Sequence, residues 1–153
     1  MKKACFVSLL ALLIALFPLS PALTADNDVR RDVLAVVRQF QNAGVRGDAA
    51  VLEQIFDANV THFHPGSPYR FVGKDRLVRE FVSAAASHQD THFEMIDPQV
   101  QMADQNVAVV TYYIDESWMQ KNGTRISAEE KATEVYVNHS GRWLMIHGHY
   151  SIE

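Results

Sequence analysis

From His92 to the end the chain reads as four segments rich in β-branched and aromatic residues, 92–102, 107–120, 125–138 and 142–152. They are separated only by Asp104-Gln105-Asn106, Asn122-Gly123 and Ser140-Gly141. Gaps this short join strands as hairpins, so the segments predict a four-strand antiparallel meander. A meander that long has an apolar face it cannot cover alone, and the covering has to come from upstream. There the hydrophobic period is helical. Val29, Val33, Val36, Val37 and Phe40 recur between Asp28 and Ala43, with Asp26 or Asn27 able to cap the start and Gly44 the end. Asp48 caps a shorter second helix carrying Leu52, Ile55 and Phe56, and a third spans about 75–87 with Leu77, Phe81 and Ala85 in one row. Between them Val60, Phe63 and Phe71 alternate around the turn Pro65-Gly66-Ser67-Pro68. Helices first and strands last predict an α+β domain, three N-terminal helices packed on one face of a strongly curved antiparallel sheet.

The first 25 residues do not belong to this pattern. Lys2 and Lys3 precede an apolar run from Phe6 to Phe17, then Pro18, Ser20, Pro21 and small residues around Ala22 and Ala25. This is the layout of a secretory signal peptide, with cleavage after Ala25 or Ala22, and the run falls short of the roughly 20 residues a membrane span needs. A domain at 26–153 in the periplasm or outside the cell is expected, with no membrane attachment after cleavage. The chain's one cysteine, Cys5, leaves with the signal. The expected mature chain therefore has no disulfide, no thiolate nucleophile and no cysteine-bound zinc. Losing Lys2 and Lys3 moves the formal charge from −4 to about −6. With no basic run, nucleic acid is not an expected partner.

The segments Ile96-Asp97-Pro98-Gln99-Val100, Gly123-Thr124-Arg125, Ala128-Glu129-Glu130 and Gly141-Arg142-Trp143-Leu144-Met145-Ile146-His147-Gly148-His149-Tyr150-Ser151 resemble the association (hub) domain of calcium/calmodulin-dependent protein kinase II. They are also similar to its bacterial SnoaL-like relatives in the nuclear transport factor 2-like superfamily. The resemblance covers the domain in element order and is most specific over the last strand. It implies a cone-shaped fold, with helices closing a bent sheet around a pocket and the outer sheet face used for homodimerisation. Larger assemblies occur among hub domains. It also implies a pocket histidine, matched by His92, six residues before Pro98. The family's pocket arginines are not matched, because Ile114, Glu134 and Tyr150 stand at those positions. Glutamate in place of arginine reverses the preferred ligand charge, so the expected ligand is a small cationic or neutral molecule.

Alternation along the strands sketches the pocket independently, since residues two apart share a face. It points Leu144, Ile146, Gly148 and Tyr150 inward from the last strand, and Trp143, Met145, His147, His149 and Ser151 outward. The neighbouring strands contribute Tyr112, Ile114, Glu116 and Trp118, then Ala132, Glu134 and Tyr136, and the first strand His92 with Glu94. Desolvated carboxylates and a histidine are acid/base candidates, which makes Glu134, Glu116 and His92 the groups to watch.

His62/His64 and His147/His149 are H-x-H steps, but with no third ligand at a recognisable spacing and no thiol they predict structural or interface roles, not a metal site. Tyr69 and Arg70 lie on the loop that runs at the pocket mouth in the superfamily, to gate a ligand or to cap the third helix. Three functions fit this reading. They are a cofactor-free small-molecule binder, a cofactor-free isomerase, cyclase or dehydratase with Glu134 or His92 as proton shuttle, and an assembly module with a vestigial pocket.

Overall fold

The structure, a computed structural model, describes residues 21–152. The expected signal peptide lies outside the described residues, apart from 21–25, which begin the first helix. In chain order the elements are α1 (Pro21–Arg46), α2 (Ala49–Ile55), β1 (Phe56–Phe63), β2 (Phe71–Val72) and α3 (Lys74–Ser87). Four long strands follow, β3 (His88–Asp104), β4 (Val107–Gln120), β5 (Arg125–His139) and β6 (Arg142–Ile152).

Helix α1 runs through Gly44 rather than ending there. Val33, Val37, Phe40 and Ala43 are its buried stripe, and the absence of a side chain at Gly44 lets Phe81 of α3 pack close. The turn after α1 uses Gly47 at φ +65, a conformation that favours glycine, and the Asp48 carboxylate then accepts from the Val51 N–H at 3.2 Å to start α2. Phe56 leaves the helix and opens β1 instead. Its ring meets those of Phe40 and Phe81 at 5.5 and 5.9 Å, an aromatic knot joining α1, β1 and α3.

The sheet has six strands in the order β2-β1-β6-β5-β4-β3. The meander β3 to β6 is as the hairpin gaps require, but β1 lies parallel to β6 and makes the sheet mixed. Strand β2 and helix α3 intervene between β1 and the meander, so no hairpin constrains its direction.

Two irregularities decide which side chains reach the inner face. The register between β5 and β6 shifts between Val135 and Tyr136, leaving Ile146 as the extra residue. Beyond it the parity inverts: Met145 and Trp143 join the inner cluster, whereas Ile146 and Leu144, the latter still only 8% exposed, do not, the reverse of what unbroken alternation predicts. Gly148 and Tyr150, on the other side of the bulge, keep the expected orientation. In β3 the register shifts between Ile96 and Gln99, with Asp97 at φ 48. His92 therefore lies opposite Ser117, while Phe93 lies opposite Glu116. Directly opposed residues share a face, so Phe93 and Met95 pack inward, and His92 and Glu94 are exposed on the outside. The inward placement of His92 and Glu94 is thus corrected.

Candidate functional site

The centre of the inner face is Glu134, which is fully buried. It sits in β5 opposite Gly148, one step from the row Tyr112–Ala132–Tyr150. The small side chain at Ala132 leaves room for both tyrosines to lean over the carboxylate. Tyr112 donates to Oε1 at 2.6 Å, Tyr150 donates to the same oxygen, and Tyr136 donates to Oε2 at 2.8 Å. Gln41 of α1 closes the group from above, its amide reaching Tyr112, Tyr150 at 3.3 Å and Glu134 at 3.4 Å. Burial pushes the Glu134 carboxyl above the usual range, and the three hydroxyl donors pull it back. Burial and the nearby carboxylate push all three tyrosines well above their ordinary value, so they remain donors at neutral pH.

Beyond Gln41 the cone opens into a cavity of about 450 Å³ between α1, α3 and the inner sheet face. Phe81, Phe93 and Trp118 form much of its wall, His64 and His88 stand at its rim, and Glu116 and Glu130 supply its charge. Trp118 is stacked on His88 with ring centroids 4.6 Å apart. Glu116 has its carboxyl raised to about 7, first by burial and then by the charge of Glu130. Glu130 is raised by burial. Its residue is only 7% exposed.

Of the residues expected to line the pocket, Glu116 and Trp118 do so. Tyr112, Glu134, Tyr136 and Tyr150 instead form a closed hydrogen-bonded layer beneath it, and His92 is on the opposite face. Glu130, Gln41 and Phe93 were not anticipated. Glu130 had a legible signal, since it shares parity with Ala132 and Glu134. So had Gln41, a polar residue one turn beyond Val37 on an apolar helix stripe.

The two H-x-H pairs point to opposite sides. His62 is paired with Gly148 and lies inside, at 1% exposure, its ring 4.8 Å from that of Tyr150. Neither ring nitrogen has a hydrogen-bond partner. Burial and then the charges of His64, His147 and His149 lower its pKa to about 3, which keeps it neutral. His147 faces outward and bonds Thr61 at 2.8 Å. No three histidine, cysteine or acidic side chains among the described residues are grouped to hold a metal. Of the loop residues, Pro65 and Gly66 border the cavity, whereas Tyr69 is 72% exposed and does not.

Gly148 is the point where this packing leaves no space. A Cβ there would lie 2.6 Å from His62 Cδ2, and the ring is held by Tyr150 and Phe81. Gly148→Ala is expected to destabilise the fold by ~1–3 kcal/mol in urea unfolding. An unchanged midpoint would mean that His62 is free to move.

Helices closed over a curved mixed sheet, with a polar cluster at the inner face, define the nuclear transport factor 2-like fold. The chain belongs to the SnoaL-like domain family, whose model matches residues 33–153. A proposed dehydratase of the NTF2-like family from Streptomyces avermitilis superposes with a TM-score of 0.73 at 22% identity, covering 84% of this chain and 98% of that one. The association domain of the Caenorhabditis elegans kinase CaMKII superposes at 0.68 with 20% identity, covering 82% and 96%. In sequence, calcium/calmodulin-dependent protein kinase type II of Caenorhabditis briggsae is 23% identical over 132 residues, 84% of this chain. The chain spans only 25% of that kinase's length.

Proposed function

We propose that this protein is an exported, homodimeric small-molecule binder whose cationic or neutral ligand occupies the mouth of the cone. The observation that carries this reading is the cavity itself, a concave, largely apolar space with a few converging polar groups, the usual form of a small-molecule site. Its floor is pre-built, because Gln41 is held by the Tyr112–Glu134–Tyr150 layer. The pattern of residues 1–25 supports export, and the association domains among the structural neighbours support self-association.

A second reading, a cofactor-free enzyme, is favoured by one feature. Glu116 lines the cavity with its carboxyl near neutrality, as a general acid or base requires. Glu134 is less suited to carry a proton to a ligand, because it is sealed behind Gln41 with its oxygens already accepting.

The test is to extract the protein purified from the periplasm of a bacterial host and identify what co-purifies by mass spectrometry, beside an Ala84→Trp variant. Ala84 lines the cavity from α3, so an indole there occupies the ligand's space. The expected result is a bound small molecule in the parent protein that is absent or reduced at least tenfold in the variant, with equal helicity in both. Equal retention by both proteins would place the ligand elsewhere. Native mass and N-terminal sequence of the same sample check the dimer and the cleavage after Ala25 or Ala22.

A further inference from the structure

The cavity wall holds more negative charge than its surroundings balance. Glu116 lies opposite Ala128 and Glu130 opposite Ile114 across the antiparallel β4–β5 pair. The two carboxylates are therefore diagonal neighbours on the inner face, close enough for a single small group to bridge them. Both line the cavity, and no lysine or arginine among the described residues does. The histidines at the rim, His64 and His88, are shifted by burial toward the neutral form. Glu130 is 7% exposed as a residue, makes no hydrogen bond or ion pair with any described residue, and its carboxylate oxygens open onto the cavity. A buried carboxylate is ordinarily paired, because desolvation without a partner is costly. A cation in the cavity would supply that partner, and the adjoining wall specifies its kind. Trp118 lies two residues along β4 from Glu116 on the same face, and Phe93 lies directly opposite Glu116. Aromatic faces attract an organic ammonium and suit its apolar body, whereas a metal ion would need oxygen and imidazole ligands converging on one point.

Resting on the pocket reading above, we propose that Glu116, Glu130 and Trp118 form the seat of an organic ammonium group, so that the ligand class is a small amine with an apolar body. The ammonium sits between the two carboxylates, and its hydrocarbon part lies against Trp118, Phe93 and Phe81. This moves the acidic centre of recognition from Glu134, which the tyrosine hydroxyls already satisfy, to the pair that lines the cavity.

Three probes of one shape and different charge test it by isothermal titration calorimetry on the full domain: benzylammonium, benzyl alcohol and benzoate. Benzylammonium is expected to bind at least tenfold more tightly than benzyl alcohol, with benzoate weakest. Glu130→Gln and Glu116→Gln should each cut the ammonium preference about fivefold while leaving benzyl alcohol within twofold. Both variants are expected to melt no lower than the parent at pH 7, since each removes a carboxylate charge that burial disfavours, so a loss of binding cannot be assigned to unfolding. If benzyl alcohol binds, is excluded by Ala84→Trp and is not surpassed by benzylammonium, the pocket stands and the ammonium seat is overturned. The seat is also overturned if the preference survives in the double variant. If none of the three probes binds, the pocket reading itself fails.

Discussion

Glu134→Ala should cost the domain ~3–5 kcal/mol, measured as ΔG in urea unfolding, because it leaves the buried tyrosine layer without its acceptor. Tyr112, Tyr136 and Tyr150 all direct their hydroxyls at this carboxylate, and the position is fully buried. Water cannot replace the lost acceptor at the sheet face, and the vacated volume adds a cavity penalty. Against a typical total of about 5–15 kcal/mol, such a loss leaves the domain marginal. Glu134→Gln is expected to lose less, ~1–2 kcal/mol. The amide oxygen still accepts two of the hydroxyls, and the third can turn to accept from the amide N–H. Combining Glu134→Leu with phenylalanine at all three tyrosine positions should recover most of the deficit, since neither the carboxylate nor the hydroxyls of this layer are then left unpaired. A loss below 1 kcal/mol for Glu134→Ala would show that these hydroxyls have other partners.

The second large effect concerns acid. His62 is neutral in the fold with a pKa of about 3 against an ordinary 6.5, so the unfolded chain takes up a proton there that the folded chain refuses. The stabilisation is whole above pH 6.5 and is lost as pH falls toward 3, by up to ~5 kcal/mol at about 1.36 kcal/mol per unit. Glu116 acts in the opposite sense. Its folded pKa of about 7 lies above its ordinary 4.5, so the folded state holds the proton more firmly and gains stability as pH falls from 7 to 4.5. Partial exposure of Glu116 reduces that gain. The two contributions offset each other down to about pH 4.5, and below it the His62 loss continues unopposed. His62→Phe should remove that loss. The ring nitrogens have no partners to forfeit, so stability at pH 7 stays within about 1 kcal/mol of the parent or rises. At pH 3 the variant should exceed the parent by several kcal/mol, read from urea midpoints across the pH series. Parallel pH profiles for parent and variant would rule out His62 as the acid-sensitive group.

What could be read in advance is instructive at the level of single residues. Glu134, Tyr112, Tyr136 and Tyr150 were all placed on the inner face by alternation, because β4 and β5 pair without interruption from Val107–Val137 to Met119–Arg125. The same rule failed for His92, Leu144, Ile146, Met145 and Trp143. Ile146 is itself the extra residue, and for the others an extra residue lies between the segment where the parity is sound and the residue in question. Such insertions leave the local residue types unchanged, so a polar residue after a bulge reads as inward when it is outward. Phe93 and Met95 beside His92 carried the contrary signal, being apolar at the alternate positions.

The residue order alone determined that three helices precede a meander and that the described domain carries no thiol. Hairpin gaps, helical period and composition are local properties, and local properties survive without coordinates. Only the tertiary structure decided that Glu134 is sealed beneath Gln41 while Glu130 and Glu116 face the cavity. Both arrangements have the same strand parity. Depth along the cone separates them, and depth depends on where α1 crosses the sheet and how the tyrosines lean over Ala132. Those are contacts between residues as much as 109 positions apart, such as Gln41 with Tyr150, and no short-range pattern encodes them.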